Sequence, residues 1–263
     1  MSQDRNGVAS RSGVGDALSL ASRVVHTSQT ASTQLDASAA HSTGVFVPTW
    51  FTTSQQTAGV GRRGREWTHP SGSFAGTLLW PILREDQRFP ALFAFLASMA
   101  VRDSLVKVGV PEQKLATKWP NDVLCDGAKI AGVLTSLADH PSRPAVLIGI
   151  GVNIESAPKL ADRATISVIE AGGQVTAAAL TEILDMAIRA IWKNYRINGF
   201  QAVRDAWLAH AAGVGQPIVV RLENETKEGV FDGLTADGRL CLRQGDQIEE
   251  IAAADVFFGP NRA

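Results

Sequence analysis

Only two cysteines, Cys125 and Cys241, occur in the 263-residue chain, and they lie far apart in sequence. They provide neither a disulfide framework nor the close spacing of a metal site, which is typical of a reducing cytoplasm. The longest apolar run, residues 91–101, is too short to span a bilayer. Because the N-terminus also has no basic-then-apolar signal pattern, the sequence predicts a cytoplasmic protein without a membrane segment.

An excess of basic charge is missing as well. The formal net charge is −1, whereas a protein that coats nucleic acid is usually basic, so no direct DNA binding is expected. The Gly-Lys-Ser/Thr ending of a Walker A loop occurs nowhere in the chain. With 45% hydrophobic and 19% charged residues, the composition is that of a globular protein.

Glycine and arginine are concentrated in one segment, residues 55–76, with the sequence QQTAGVGRRGREWTHPSGSFAG. The glycines are Gly59, Gly61 and Gly64, and the arginines are Arg62, Arg63 and Arg65, followed by Trp67. Glycine lets backbone N–H groups approach a ligand closely, because no Cβ intervenes. Guanidinium groups bind phosphate or carboxylate through paired hydrogen bonds. The segment therefore predicts an anion-binding loop.

Residues 59–64 also match the pattern G-x-G-x-x-G of dinucleotide-binding folds. That interpretation requires a helix that opens inside the motif, but residues 66–72 are rich in turn formers. The match is therefore treated as accidental. Taken alone, the segment is equally compatible with a solvated basic loop, since short motifs have a high false-positive rate.

A second unusual region begins with KWPNDVL at residues 118–124 and continues through the turn pair Asp126-Gly127. A strand over 128–135 contains Lys129 and Gly132, and a strand over 145–153 contains Gly149 and Gly151. Residues two apart on a strand face the same side, so these glycines leave room for a flat ligand or, alternatively, for tight sheet packing.

The remaining patterns predict three parts: a disordered tail (1–16), a larger domain (17–212) and a small domain (213–263). Helices are expected over 17–25, 35–40, 90–109, 176–198 and 200–210, and further strands over 45–51 and 76–83. The hydroxyl-rich residues 27–34 could either cap a helix or contact a ligand. From residue 213, five short strands with turn pairs predict an SH3-like β-barrel.

The segments QQTAGVGRRGREW, KWPNDVL, KIAGVL and GIGVN, in this order, resemble biotin protein ligases (biotin–acetyl-CoA-carboxylase ligases) from about residue 21 onward. The resemblance implies an α/β (α+β) fold, with a mixed sheet flanked by helices as in class II aminoacyl-tRNA synthetases and lipoate ligases. It implies a ligase, enzyme class 6, that uses ATP and Mg²⁺ to make biotinyl-5′-adenylate. The biotinyl group then passes to a lysine of a biotin carboxyl carrier protein.

The same resemblance assigns roles to individual residues. Lys118 would bridge the biotin carboxylate and the α-phosphate, and it would act in catalysis together with Arg62. The biotin-binding set is Ser32, Thr33, Gln56, Gly59, Arg62, Lys118, Gly132 and Gly149. The adenylate-binding set is Gly61, Arg63, Gly64, Arg65, Trp67, Lys118 and Asn153. No protein metal ligands are expected, and Val60 stands where the family usually has arginine.

Several alternatives stay open at this point. A lipoate ligase would share the fold, a biotin-responsive repressor would add an N-terminal DNA-binding domain, and an adaptor would bind without catalysis. The monofunctional ligase type is favoured, as a monomer or weak homodimer. Asp122 is a candidate base for the attacking lysine, although an aspartate at the start of a strand more often caps a turn.

Overall fold

The computed structural model describes residues 21–88, 91–138, 140 and 143–258. The predicted tail and the first four residues of the helix predicted over 17–25 lie outside the described residues. Two sheets organise the described chain: a seven-stranded mixed sheet in the larger domain and a five-stranded antiparallel sheet after residue 213. Among the described residues, no helix combines the length and apolar character needed to cross a membrane.

The larger sheet has the order β1-β2-β3-β7-β6-β5-β4. Its strands are β1 (Arg23–Thr30), β2 (Thr49–Gln56), β3 (Phe74–Pro81), β4 (Leu115–Lys118), β5 (Asp122–Cys125), β6 (Ala128–Ala138) and β7 (Ala145–Val152). Strands β1 and β2 run parallel, and the other neighbouring pairs run antiparallel. The predicted turn Asp126-Gly127 is confirmed, since both residues have positive φ and join β5 to β6.

In the described part of the chain, three α-helices accompany the sheet: α1 (Thr33–Ser42), α2 (Leu92–Lys107) and α3 (Ala177–Leu208). Thr176 caps α3 as predicted, with its hydroxyl accepting a 3.2 Å hydrogen bond from the Ala179 amide. The two helices predicted on either side of Gly199 are confirmed, because that glycine has non-helical backbone angles (φ 77°, ψ −178°) and divides α3 at a kink. Helices α2 and α3 bury their apolar faces against each other, and Phe95 stacks on Trp207 at 4.6 Å between ring centroids.

Two local predictions near the N-terminus were wrong. Residues 23–25, expected in a helix, belong to β1, because the backbone hydrogen bonds of parallel pairing with β2 outweigh a weak helical pattern. Strand β2 begins at Thr49 rather than residue 45. The residues before it form the exit from α1, where the Val45 amide donates to the Ala40 carbonyl at 3.0 Å.

The N-terminal part of the described chain is held by Asp185 on α3. This carboxylate, whose side chain is 11% exposed, accepts hydrogen bonds from Trp50 Nε1 at 3.1 Å, Arg189 Nε at 2.7 Å and Ser22 Oγ at 2.5 Å. Without this carboxylate the buried Trp50 N–H has no hydrogen-bond acceptor. We therefore expect Asp185→Ala to lower the free energy of unfolding by about 3 kcal/mol.

Urea denaturation of Asp185→Ala and Asp185→Asn would check this expectation. The asparagine variant retains an acceptor for Trp50 and should lose less stability than the alanine variant. Equal midpoints for the two variants and the unsubstituted protein would contradict the assigned role.

The C-terminal sheet contains β8 (Pro217–Arg221), β9 (Thr226–Leu234), β10 (Leu240–Gln244), β11 (Gln247–Ile251) and β12 (Asp255–Phe258), in the order β11-β10-β9-β8-β12. The expected closed barrel is corrected: the edge strands β11 and β12 do not pair with each other, so the sheet stays open. Closure needs staggered pairing of the first and last strands, and β12 instead faces the larger domain, where Lys118 lies over Phe257 and Phe258.

Candidate active site

A cavity of about 350 Å³ lies over the glycine-containing part of β6 and β7. Its walls come from the start of α1 with the end of β2, the glycine-arginine loop, β3, the start of β5, β6 and β7, the segment 158–165 and the start of β12. Ten of the sequence-predicted site residues line it: Ser32, Thr33, Gln56, Gly61, Arg62, Arg65, Trp67, Gly132, Gly149 and Asn153. The tertiary structure therefore brings together most of the residues that the sequence motifs had singled out.

One end of the cavity is uncharged and polar. The Gln56 Oε1 atom accepts from the Thr33 amide at 3.0 Å, and the hydroxyls of Thr33 and Thr77 are 2.8 Å apart. Ser32 precedes α1 but makes no side-chain cap hydrogen bond, so its hydroxyl lines the cavity instead of closing the helix end. Gln34, which donates to Ser136 Oγ at 2.8 Å, also lines this end.

Gln34 and Thr77 were missed by the sequence reasoning. Gln34 belonged to the hydroxyl- and amide-rich stretch, which gave a usable signal. Thr77 lies within an ordinary buried strand, and only its pairing position on β3 opposite Gly149 of β7 brings it to the site.

The strand glycines make room for Trp67. Gly132 and Gly151 are Cα partners on β6 and β7, and the indole lies against both. A Cβ at Gly151 would lie 2.2 Å from Trp67 Cζ2, and one at Gly132 would lie 3.2 Å from Trp67 Cζ3. Gly149 and Gly151 were predicted to leave room for a flat ligand; at Gly151 that room is taken by a side chain of the protein, which itself forms part of the cavity wall.

Two lysines stand close to the site but in different environments. Lys129 lines the large cavity, with Nζ 2.6 Å from Asp122 Oδ1 and 5.4 Å from the Trp67 ring centroid. Lys118 lines a smaller adjoining pocket of about 40 Å³, with Nζ 5.6 Å and 5.2 Å from the ring centroids of Phe257 and Phe258. Burial lowers the pKa of Lys118. The lysine placed in the large cavity is therefore Lys129.

The glycine-arginine loop is a tight hairpin. The Trp67 amide donates to the Gly59 carbonyl at 2.8 Å, and the Gly61 amide donates to the Arg65 carbonyl at 2.7 Å. At its tip Arg63 and Gly64 both have positive φ, 57° and 72°. Gly59 fits because a Cβ there would meet the Trp67 carbonyl at 2.6 Å. Gly59, Arg63 and Gly64 thus shape the loop and are not among the described residues that line the cavity.

The arginines of the loop point in different directions. Arg62 and Arg65 line both the large cavity and the adjoining pocket, and burial lowers the pKa of Arg62. The Arg63 guanidinium instead donates to the Arg221 carbonyl of the C-terminal sheet at 3.4 Å. A desolvated guanidinium is strongly stabilised by an anion, so Arg62 is well suited to meet one.

Known protein families match most of this chain. Residues 21–153 match the Biotin/lipoate A/B protein ligase family, and residues 213–259 match the Biotin protein ligase C terminal domain. A biotin–[acetyl-CoA-carboxylase] ligase of Paracoccus denitrificans is 40% identical over 225 residues, which cover 82% of this chain and 92% of that protein. The chain belongs to the biotin protein ligase family. The ligase of the same name from Mycobacterium tuberculosis is 30% identical, with 87% of this chain and 86% of that protein covered.

Solved ligase structures share the fold. The biotin protein ligase from Aquifex aeolicus in complex with biotin and ATP matches with a TM-score of 0.77 and 19% identity, covering 90% of this chain and 99% of that one. The Leishmania major ligase in complex with biotinyl-5-AMP matches with a TM-score of 0.62 and 21% identity, covering 88% and 99%. The predicted class of fold is confirmed by these similarities.

The ligase has further cavity residues that the sequence did not indicate. Arg163 and Asp162 pair with each other on the segment after β7, and Asp255 reaches the cavity from the C-terminal sheet. Neighbouring opposite charges such as Asp162-Arg163 are common on surfaces and give no signal. Asp255 lies 190 positions from its partner Arg65, so only the assembled fold brings the two together.

Asn153 has an internal role that its motif did not reveal. Its buried side-chain amide donates to the Lys129 and Ile166 carbonyls, both at 3.3 Å. These bonds fix the backbone of Lys129 against the segment that follows β7. Asn153 therefore positions the cavity lysine as well as lining the cavity.

Val60 gives the ligase a testable peculiarity. It is half exposed, lines the cavity and pairs with Glu66 across the hairpin, and it stands at the position where the sequence resemblance implies arginine. Because an added cation would attract the anionic adenylate, we expect Val60→Arg to slow release of biotinyl-adenylate about threefold. Release would be followed by rapid filtration after single-turnover synthesis, with Val60→Gln as an uncharged control. Release from Val60→Arg that equals or exceeds that of the unsubstituted ligase would contradict the expectation.

Proposed function

We propose that this ligase joins biotin to a specific lysine of a biotin carboxyl carrier protein, with ATP as the second substrate and biotinyl-5′-adenylate as the intermediate. The observation that carries the proposal is the position of Lys129. Its ammonium lines one cavity between an uncharged polar end and the arginine loop. A carboxylate and a phosphate that enter from opposite ends would meet at this cation.

The polar end suits the head group of biotin. A cyclic urea has one acceptor oxygen and two N–H donors, and the side chains of Ser32, Thr33 and Gln56 offer hydroxyls and an amide at this end. Val133 and Ile150 add apolar wall on the neighbouring strands. Glycine is needed at position 149, because a Cβ there would lie 2.7 Å from Gln34 Oε1 and displace this polar side chain of the cavity wall.

The first step requires two anions to react. A carboxylate oxygen of biotin attacks the α-phosphorus of ATP, a P–O bond forms, and the bond to the departing pyrophosphate breaks. Fixed cations in a water-poor site lower the barrier, because they stabilise the charge that develops in the transition state. Lys129 would bridge the carboxylate and the α-phosphate, with Arg62 beside it.

Lys118 is proposed to act on the leaving group rather than to bridge the two reacting groups. Its pocket adjoins the cavity, and Arg62, Arg65 and Arg163 line both spaces. An ammonium whose pKa is lowered by burial is stabilised when a phosphate group arrives. The pocket therefore suits the pyrophosphate end of ATP, and Lys118 remains a proposed catalytic residue in this altered role.

Magnesium is expected to enter with ATP. Three of the acidic side chains that line the cavity are already paired: Asp122 with Lys129, Asp162 with Arg163 and Asp255 with Arg65. Within the described residues, no group of three histidine, cysteine, aspartate or glutamate side chains is arranged to hold a metal. This donor set fits Mg²⁺ bound chiefly by phosphate oxygens and water, where it neutralises phosphate charge.

In the second step the amine of the carrier lysine attacks the carbonyl carbon of the adenylate, an amide forms, and AMP leaves. The amine must first lose a proton from an ordinary pKa of about 10.4. Asp122 is bound to Lys129 at 2.6 Å, which favours a role in holding that lysine over one as the base. A cytoplasmic location, a monomer or weak homodimer and the absence of DNA binding remain predictions.

Biotin-dependent exchange of labelled pyrophosphate into ATP, measured with Mg²⁺, tests the proposed function. Exchange with biotin and none with lipoate would support adenylation of biotin. Exchange with lipoate alone would be compatible with the fold but would show that lipoate, not biotin, is the substrate. Folded protein that catalyses exchange with neither acid would favour the binding-only adaptor.

A further inference from the structure

We propose that Asp255 is the positioning residue through which the C-terminal sheet holds the arginine loop, residues 59–67, over the active-site cavity. The inference that Asp255 helps to retain the adenylate rests on the proposed function, whereas the inference that it holds the loop in place does not. Asp255 opens β12, and its side chain is 20% exposed.

Two arginines of the loop converge on this one carboxylate. Arg65 Nη2 lies 2.5 Å from Asp255 Oδ1, and Arg63 Nη1 lies 3.5 Å from Asp255 Oδ2. Backbone hydrogen bonds and the Val60–Glu66 bridge close the hairpin below the tip, whereas the tip itself is spanned by one backbone bond, from the Arg65 amide to the Arg62 carbonyl at 3.3 Å. The carboxylate thus supplies the charge that fixes the tip.

Backbone carbonyls around Asp255 complete the receiving site. Arg62 Nη1 donates to the Ala254 carbonyl at 3.3 Å, and Arg63 donates to the carbonyls of Arg221 at 3.4 Å and Ala253 at 3.5 Å. Asp255 and Arg221 are paired across β12 and β8, which makes the receiving surface the rigid end of a strand ladder. The contacts therefore connect the loop to a folded sheet rather than to another loop alone.

The position of these contacts relates them to the chemistry. Asp255, Arg62 and Arg65 line both the large cavity and the adjoining pocket, so the contact forms part of the wall between ligand and solvent. An acyl-adenylate is lost when water enters or when the intermediate escapes, and a closed loop prevents both. Lys129 does not contact Asp255 in the described structure, so the cation proposed for the chemistry remains in place without it.

The test compares Asp255→Asn with Asp246→Asn, which removes one charge from the exposed β10–β11 turn of the same sheet. Hydrogen exchange of the loop amides, measured without ligand, should be about fivefold faster in Asp255→Asn and unchanged in Asp246→Asn, since partly exposed ion pairs have effects of this size. Asp255→Glu keeps the charge and should restore at least part of the protection.

The ligase reaction supplies the second measurement. The ratio of free biotinyl-adenylate released to carrier biotinylated should rise about fivefold in Asp255→Asn and stay unchanged in Asp246→Asn. Raising the salt concentration should increase release more in the unsubstituted ligase than in Asp255→Asn, because only the unsubstituted ligase has this ion pair for salt to screen. In a background of Arg63→Gln and Arg65→Gln, Asp255→Asn should add nothing further.

The outcomes separate the two proposals. Unchanged loop exchange in Asp255→Asn would overturn the role of Asp255, whatever the ligase activity. Suppose that hydrogen exchange of the loop is faster in Asp255→Asn, but the unsubstituted protein catalyses no biotin-dependent pyrophosphate exchange. That result would retain the positioning role and overturn the proposed function. Faster loop exchange with an unchanged release ratio would show that the contact does not retain the adenylate, and would overturn that part of the inference.

Discussion

Replacement of Lys129 by methionine is expected to slow biotin-dependent pyrophosphate exchange about a hundred- to a thousandfold. Loss of one preorganised charge-stabilising group from an active site typically has an effect of this size. The side chain of Lys129 is 15% exposed and paired with Asp122, so a mobile surface cation cannot replace it. The expected loss falls mainly on kcat, because the cation acts on charge that develops during the reaction.

The controls for Lys129→Met separate the two lysines of the site. Lys193→Met removes an exposed lysine from α3 and should leave exchange unchanged. Lys118→Met should chiefly raise the pyrophosphate concentration needed for exchange, since its pocket is assigned to the leaving group. Lys129→Met leaves the Asp122 carboxylate without its partner, which could itself disturb the fold. The double variant Lys129→Met/Asp122→Asn also removes this carboxylate charge, so slow exchange in both variants is not caused by the unpaired carboxylate. Exchange by Lys129→Met within threefold of the unsubstituted rate would contradict the assignment.

The second large effect is expected from Gly151→Ala. The added methyl group would lie 2.2 Å from Trp67 Cζ2 and 2.3 Å from Cε2, so the indole must leave its place on the strands. Gly151 lies inside β7, paired with Gly132 and Ala75 on either side, and the strand cannot move away from the ring. Overpacking of this kind costs about 1–3 kcal/mol. If that free energy is lost from ATP binding, the KM for ATP rises about 5- to 150-fold.

A double-variant cycle identifies the cause of the Gly151→Ala effect. If displacement of the indole is responsible, Gly151→Ala should have little further effect in a Trp67→Ala background. Steady-state kinetics with ATP and biotin varied separately would show which substrate is affected. A Gly151→Ala variant whose KM for ATP rises less than twofold would contradict the role assigned to Trp67.

Much of the site was predictable because most of its residues belong to short segments with a recognisable composition. The arginine loop, the KWPND and KIAG segments and the strand glycines each combine residue types whose spacing is meaningful without a fold, and ten predicted residues line one cavity. The strand over Ala128–Ala138 and the cap at Thr176 were also accessible, since both depend on neighbouring residues.

The choice between Lys118 and Lys129 could not be made from sequence. Both lysines stand beside a recognisable motif, and their roles depend on which space each side chain enters. Pairing brings Lys118 opposite Asp122 on β4 and β5, and β12 then covers it with Phe257 and Phe258. Lys129, near the start of β6, enters the large cavity instead.

By itself the sequence determined the family, the glycine-arginine loop and most of the polar and glycine residues of the cavity, because each depends on residues close together in the chain. Only the tertiary structure decided that the C-terminal sheet stays open, that Trp67 occupies the room left by the glycines, and that Asp255 meets the arginine loop. These features depend on contacts between distant segments. Their energies come from packing and charge pairing, which exist only once the two sheets are assembled.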